Sequence, residues 1–475
     1  MIRTVSILAL VAMTSTAVAQ DTTIPFPEPL PTPEFDLPEA TSHTLSNGLE
    51  VRIVENHEVP LWGARLVIRG GTGLDPADKA GLASVAVDMM DDGAGDMSSS
   101  DISRQVKRLG SSLSAGAGLD SSSVSAGGIL RNMDETLGIM ATVITMPTFP
   151  DDEWSILQQR RIANANAKLE DPATVGREAF YKQLYAGIYQ GSVTTADTYG
   201  AISLDDMKAF HAAQFRPDNA LLLVGGDIDP ATALPILEKH FGGWMVDGEA
   251  MDITAPEPAM IEESVMYFID KPGAAQSMIR LGGFVGTRMD DDYYELHIGN
   301  AAFGGAFTAR VNMNLREDKG YTYGARCRAW YPEGPGVWFC STSVRTDATG
   351  ASLDEIKMEI TDVLGDRPID AAEVAYHVSS EVNGYPGQYE TVNAVLGEHA
   401  DIWVHGLPSD WQGRYLPGVQ AVTVDTANAA LAARLVPEHI VWTVVGDREA
   451  VYSDLEAFGL PIIELDRQGN PIQGN

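Results

Sequence analysis

Two hydrophobic periods alternate along the chain. SSLSAGAGLDSSSVSAGGIL (residues 111–130) switches between small polar and apolar positions, the period-2 pattern of a hairpin with one solvated face. VRIVENHEVPLWGARLVIRGG (51–71) reads as strand, turn and strand. GLASVAVDMMDDGAG (81–95) follows and reads as a buried helix, with Ser84, Val87 and Asp88 at i, i+3 and i+4 on one face. Further on, SLDDMKAFHAAQFRPDNALLLVGGDID (203–229) gives a Ser-capped helix, a Pro that ends it and a continuous apolar strand finishing in Gly-Asp.

That last pattern occurs twice. TVDTANAALAARLVPEHIVWTVVGDRE (423–449) repeats it 220 positions on: Leu204 falls on Val424, Asp205 on Asp425, Pro217 on Pro437, Gly226 on Gly446 and Asp227 on Asp447. The starts of the halves match more loosely, residues 47–72 with 263–287, each a strand, a turn, a second strand and a Gly-containing exit. The pattern predicts an α+β protein of layered helices on largely antiparallel sheets, built as two homologous halves. The first runs over 41–246 and the second over 263–475, with an acidic, Pro-bearing linker at 247–262. A length of 475 residues exceeds what one core serves.

Composition changes this picture mainly at the N-terminus. MIRTVSILALVAMTSTAVAQ has an early Arg, a short apolar run and Ala17-Val18-Ala19, so residues 1–19 are expected to be a signal peptide and the mature chain periplasmic. Residues 20–40 are Pro-rich and are expected to be extended rather than packed. No later apolar run is long enough to cross a bilayer. The net charge of −34 repels nucleic acid and anionic lipid and favours cationic or neutral partners. Only Cys327 and Cys340 are present, flanking two strand-like arms around Pro-Glu-Gly-Pro. They face each other across a hairpin, as a disulfide in an oxidising compartment or as two buried thiols.

With these pieces in place, the chain resembles the pitrilysin/insulinase-type zinc peptidases, and among them the bacterial, mitochondrial-processing-peptidase-like members. The resemblance runs from about residue 43 to 460 and is carried by SHTLSNGLEVRIVENHEVP, GLASVAVDMM, GGAFTARVNMNLREDKGYTYGARC (304–327) and YETVNAVLGEHADIWVHGLP (389–408). It implies paired similar domains forming half of a clam shell that closes around a peptide. Active members carry His-x-x-Glu-His on the first-half helix, two zinc ligands and a general base. Here those positions hold Ser84, Asp88 and Val87, and the third ligand's place, near Ala163 to Ala165, holds no acid. Serine is a poor zinc ligand and valine moves no proton, so this chain is expected to bind no metal.

A second feature of the resemblance persists. In LREDKGYTYGA (315–325), Arg316 and Tyr323 match the family's Arg/Tyr pair, which implies donors to a substrate backbone and its developing oxyanion. Alternatively Arg316 pairs with Glu317 or Asp318, and Tyr321 is the rival phenol, placed by period-2 alternation on the same strand face as Tyr323. Gly304-Gly305 lacks the context of a nucleotide loop and serves either backbone approach to peptide or packing. Isolated His/acid neighbours such as His377 with Glu381 read as surface or capping residues. The resulting expectation is a non-catalytic subunit of an exported heterodimeric zinc peptidase. A zinc-bearing homologous subunit would be its partner and unfolded peptides its substrates, with no nucleic acid and no membrane span. The alternative is a non-enzymatic binding or scaffold protein of the same fold. A self-sufficient peptidase with an unrecognised metal would instead carry stoichiometric zinc.

Overall fold

The computed structural model describes residues 35, 37–246, 248 and 257–472. The expected signal peptide, the Pro-rich residues 20–34 and 36, and most of the linker (247 and 249–256) lie outside the described residues.

Two six-stranded sheets carry the fold. In the first half β1 (Thr41–Thr44), β2 (Glu50–Glu55), β3 (Leu61–Arg69), β4 (Ser112–Ala117), β5 (Ser121–Ile129) and β6 (Ala220–Gly226) lie in the order β1-β2-β6-β3-β5-β4. In the second, β7 (Val265–Asp270), β8 (Gln276–Val285), β9 (Thr322–Trp330), β10 (Gly336–Arg345), β11 (Val441–Gly446) and β12 (Ile462–Leu465) lie in the order β9-β10-β8-β11-β7-β12. Five strands correspond, β2-β6-β3-β5-β4 with β7-β11-β8-β10-β9. The outer strand differs: β1 joins β2 antiparallel, whereas β12 joins β7 parallel. Within these sheets only β2–β6, β7–β11 and β7–β12 are parallel. The α+β reading with two similar halves therefore describes the fold.

The helices that matter here are α1 (Leu82–Asp88), α2 (Asp151–Ala167), α3 (Pro172–Leu184), α4 (Leu204–Gln214), α5 (Tyr293–Asn300), α6 (Thr349–Leu364), α7 (Ala371–Gly384), α8 (Val392–Val404) and α9 (Val424–Arg434). Ser203 and Thr423 open α4 and α9 with matching capping boxes, each side chain accepting from the third helical N–H. The 220-residue repeat is longer than the sequence pattern indicates, because α3 and α8 begin and end that same distance apart.

Those two helices are exchanged between the halves. From the first half, α3 lays Val175 and Ala179 on Ile269, Met278, Val445 and Leu465 of the second-half sheet. Its end packs Phe180 and Leu184, with Tyr185, against Val337 and Val441. Reciprocally, α8 lays Val395, Leu396, Ala400 and Val404 on Val54, Val67, Leu221 and Leu223 of the first-half sheet. Close approach is permitted by Gly225, where an added Cβ would stand 3.1 Å from both Leu396 and Val392. Each sheet thus has one face on its own core and the other under a helix from the opposite half.

The start of the chain adds a strap. Phe35 stacks on Tyr389 (5.6 Å between centroids) and meets Tyr385 edge-on (5.8 Å). His399 Nε2 lies 3.1 Å from the Pro38 carbonyl, and Leu37 and Ala40 pack beside α8. Phe35, Leu37, Pro38 and Ala40 are therefore packed, contrary to the expectation of an unpacked segment, while Glu39 is exposed. Proline already restricts the unfolded chain, so a few apolar anchors suffice to order it. Among the described residues no helix is long and apolar enough to cross a membrane.

Because each sheet depends on the other half for a cover, Leu396→Ala is expected to cost about 2–5 kcal/mol. Both halves should lose structure in one denaturant transition; two resolved transitions would show that the halves are energetically independent.

Candidate functional site

The degenerate helix α1 is short and closely held. Gly81 precedes it at φ 103°, a left-handed conformation, and a Cβ there would stand 2.6 Å from the Tyr199 ring. Asp75 accepts from the Gly81 (2.7 Å) and Ala83 (2.8 Å) N–H groups, satisfying donors at the helix start. Val87 is fully buried in the first-half core, while Ser84 and Asp88 are half-buried.

Across from α1, α2 supplies a cation. Arg161 forms an ion pair with Asp88, four residues or fewer from Ala163 to Ala165, where the resemblance places a third metal ligand. The positive charge facing Asp88 is therefore covalently part of the chain. Neither Ser84 nor Val87 adds a strong donor, and among the described residues no group of three His, Cys, Asp or Glu side chains could hold a metal. These residues do not fit zinc. Nearby, burial and the charges of Asp92 and Asp88 push the Asp91 carboxyl up to about 6.

The second half repeats the device with other residues. Glu381 on α7, 220 positions after Arg161, faces His297 on α5 at 3.6 Å and accepts from Tyr415 Oη at 2.8 Å. His377 beside it is buried rather than on the surface, and burial lowers its pKa. Sequence reasoning read these as capping or surface groups because their partners lie on other elements.

Arg316 and Tyr323 sit in two local irregularities. Arg316 lies in a π-helical turn, Met313–Asp318, pinned to α6 by the Asn314 amide, which donates to Glu355 (2.9 Å) and to buried Glu359 (2.8 Å). Its Nε lies 3.2 Å from Glu317, and its guanidinium rests 4.6 Å above the Phe307 ring. The Glu317 pairing and an open position coexist, since the side chain remains 36% exposed.

Tyr323 is 90% exposed. The β9–β10 register slips between Thr322 and Ala325, forming a bulge. Thr322 Oγ1 donates to the Ser343 carbonyl (2.7 Å) and accepts from the Gly324 N–H (3.0 Å). Asn312 accepts from the Ala325 N–H (3.0 Å) and donates to the Phe307 carbonyl (2.6 Å), tying the bulge to the Arg316 segment. The bulge cancels the alternation that placed Tyr321 and Tyr323 on one face: Tyr321 packs on the second-half core and Tyr323 projects outward. No hydrogen bond joins Arg316 to Tyr323 among the described residues.

Cys327 and Cys340 stand opposite each other in the β9–β10 register and are joined as a disulfide. Both are buried. Gly304 packs directly on Cys327, leaving no room for a Cβ. The glycine therefore serves packing.

Two outcomes follow. A double-mutant cycle of Asp88→Ala and Arg161→Ala is expected to give a coupling of about 0.5–1 kcal/mol, as for a partly exposed pair; zero coupling would leave the pair without energetic weight. Asp91 titrates near 6 when folded, above its unfolded value near 4. Between those values the unfolded chain has released the proton and the folded chain has not. Its contribution to stability therefore falls as pH rises from about 4 to 6, and Asp91→Asn should remove that slope from the difference between the two denaturation profiles.

Comparison with known proteins agrees with this anatomy. Residues 201–380 match the family model described as the peptidase M16 inactive domain. The non-peptidase homolog YmxG of Helicobacter pylori is 19% identical over 419 residues, spanning 86% of this chain and 95% of its own. The crystal structure of a peptidase M16 inactive domain from Pseudomonas fluorescens superposes with a TM-score of 0.79 at 22% identity, over 86% of this chain and 98% of that one. The periplasmic protease PqqL from Escherichia coli gives 0.75 at 15% identity, over 86% of this chain and 45% of that one. The chain is therefore M16-like: residues 201–380 match a peptidase M16 inactive domain, and its fold is similar to that of M16 structures over 86% of its length.

Proposed function

We propose that this chain is the non-catalytic subunit of a heterodimeric zinc metallopeptidase, exported to the periplasm. It forms half of the peptide chamber and supplies Arg316 and Tyr323 in trans. The observation that carries this reading is a contrast within one molecule. The positions that would hold a metal are closed by the Asp88–Arg161 pair and buried Val87, whereas the Arg/Tyr positions are held open by dedicated local structure.

In the complex, the zinc-bearing homologous partner would supply the metal and the base. This chain's residues would bind and orient. The Arg316 guanidinium, held over Phe307, donates to a peptide carbonyl, and the Tyr323 phenol adds one donor where charge develops. That the chain spans 45% of the PqqL chain leaves room there for a second unit of similar size in one polypeptide, which is compatible with pairing. A scaffold protein using the same surface is the second reading, favoured by its similarity to the Helicobacter relative, a non-peptidase homolog.

The test is reconstitution with an M16 chain that has an intact His-x-x-Glu-His, followed by a peptide-cleavage assay. The chain alone should be inactive and should activate the partner. Arg316→Ala and Tyr323→Phe should each lower kcat by about 10²–10³-fold without preventing association. Full activity of the double variant would leave only the scaffold reading.

A further inference from the structure

The chain has 66 acidic against 32 basic side chains, yet one face gathers four arginines outside any ion pair among the described residues, of which Arg177 alone acts on a carboxylate, that of Asp171. On the second-half sheet Ser341 of β10 pairs with Arg280 of β8 on one side and Arg326 of β9 on the other. The two arginines therefore point from the same face, two strand spacings or roughly 10 Å apart. Arg328, two residues further along β9, shares that face. Arg177 projects from α3 close enough for its charge to act on Arg280 and Tyr181.

None of the four makes an ion pair among the described residues. Arg326 donates to the Gly305 carbonyl (3.2 Å). Arg280 is 5% exposed, donates to Tyr181 Oη (2.8 Å) and lies 3.9 Å above the Phe339 ring, and its Nε has no partner. Arg177, Arg326 and Arg328 are exposed. Most cations elsewhere in this acidic molecule are neutralised, such as Lys79 by Asp206 and Arg434 by Asp290 and Asp292.

Aromatic surface interleaves with the charge. Trp330 and Phe339 share the face with Arg326 and Arg328 and approach Tyr181 at 5.3 and 6.3 Å. The same strand, β9, begins at the Tyr323 bulge. Extension of the sheet by a further strand is disfavoured at this edge, because the Ala325 N–H and Cys327 carbonyl are already taken by Asn312 and Asn300. Recognition here would run through side chains.

The geometry points to an acidic peptide segment as the ligand of this face, its carboxylates on Arg326 and Arg328 and its apolar side chains against Phe339 and Trp330. The inference deepens the peptidase-subunit reading, on which it rests for the choice of peptide as ligand. It also reverses the partner preference drawn from net charge. Exposed charges beyond about 8–10 Å are largely screened, so the local arginines outweigh distant carboxylates for a short segment.

Fluorescence anisotropy of the isolated mature chain with labelled peptides of equal length, rich in Asp/Glu, in Ser/Gly or in Lys, tests this. The acidic peptide should bind about tenfold tighter than the neutral one, and more weakly as salt rises. Arg326→Glu combined with Arg328→Glu should abolish the preference, as should the milder Arg326→Ser with Arg328→Ser. Arg131→Glu, on an exposed first-half position, should leave it intact. Equal or tighter binding of the Lys-rich peptide, no binding at all, indifference to both double variants, or displacement by an equally charged oligonucleotide at lower concentration would overturn the proposal. No partner subunit is present, so this result is independent of whether reconstituted proteolysis succeeds.

Discussion

The two exchanged helices are the constraint on which the rest of the molecule depends. A sheet with one face on its own core still presents a second apolar face, and here that face is covered by a helix encoded in the other half. Non-directional apolar burial would permit many relative placements of the halves. The glycines at the seam and buried Arg280 beneath it select one, by letting backbone and ring come close. Arg316 and Tyr323 inherit their fixed positions from that selection, because β9 and the adjoining π-helical turn are attached to the sheet so oriented.

The first-half helix shows how a fold survives the loss of a metal. A divalent ion bridging two helices contributes cross-linking as well as chemistry. In this chain the bridging is done by Asp88 and Arg161, and in the other half by His297 and Glu381. A guanidinium retains a positive charge against the carboxylate without offering a vacant coordination position or an activated water. The helix pair stays joined while the reactivity is gone, which reconciles a peptidase architecture with a non-catalytic chain.

Much of this was legible in the residues, for identifiable reasons. The repeat at 203–229 and 423–449 is visible because a central strand buried on both faces is almost wholly apolar, ALLLVGG in one half and VWTVVG in the other, and because Pro and the caps sit where geometry demands them. The same repeat is invisible across α3 and α8: PATVGREAFYKQL and VNAVLGEHADIWV share helical apolar spacing but almost no residues. An apolar helix face also looks the same whichever sheet it covers, so the exchange left no trace. The absence of metal donors was readable position by position, whereas the Asp88–Arg161 pair joins residues 73 apart on different helices. The exposure of Tyr323 depended on a bulge fixed by Thr322 and Asn312, whose partners are tertiary, so alternation alone placed it wrongly.

The strap at the start of the chain carries a consequence for biogenesis. The Pro38–His399 contact spans 361 residues, and the apolar patch of Val54, Val67, Leu221 and Leu223 awaits a helix that begins at Val392. A polypeptide delivered from its N-terminal side would therefore display an uncovered sheet until Val392–Val404 had emerged. Until then the exposed apolar surface is a site at which other chains could associate, so the interval before the helix arrives is the stage at which this fold is most open to aggregation.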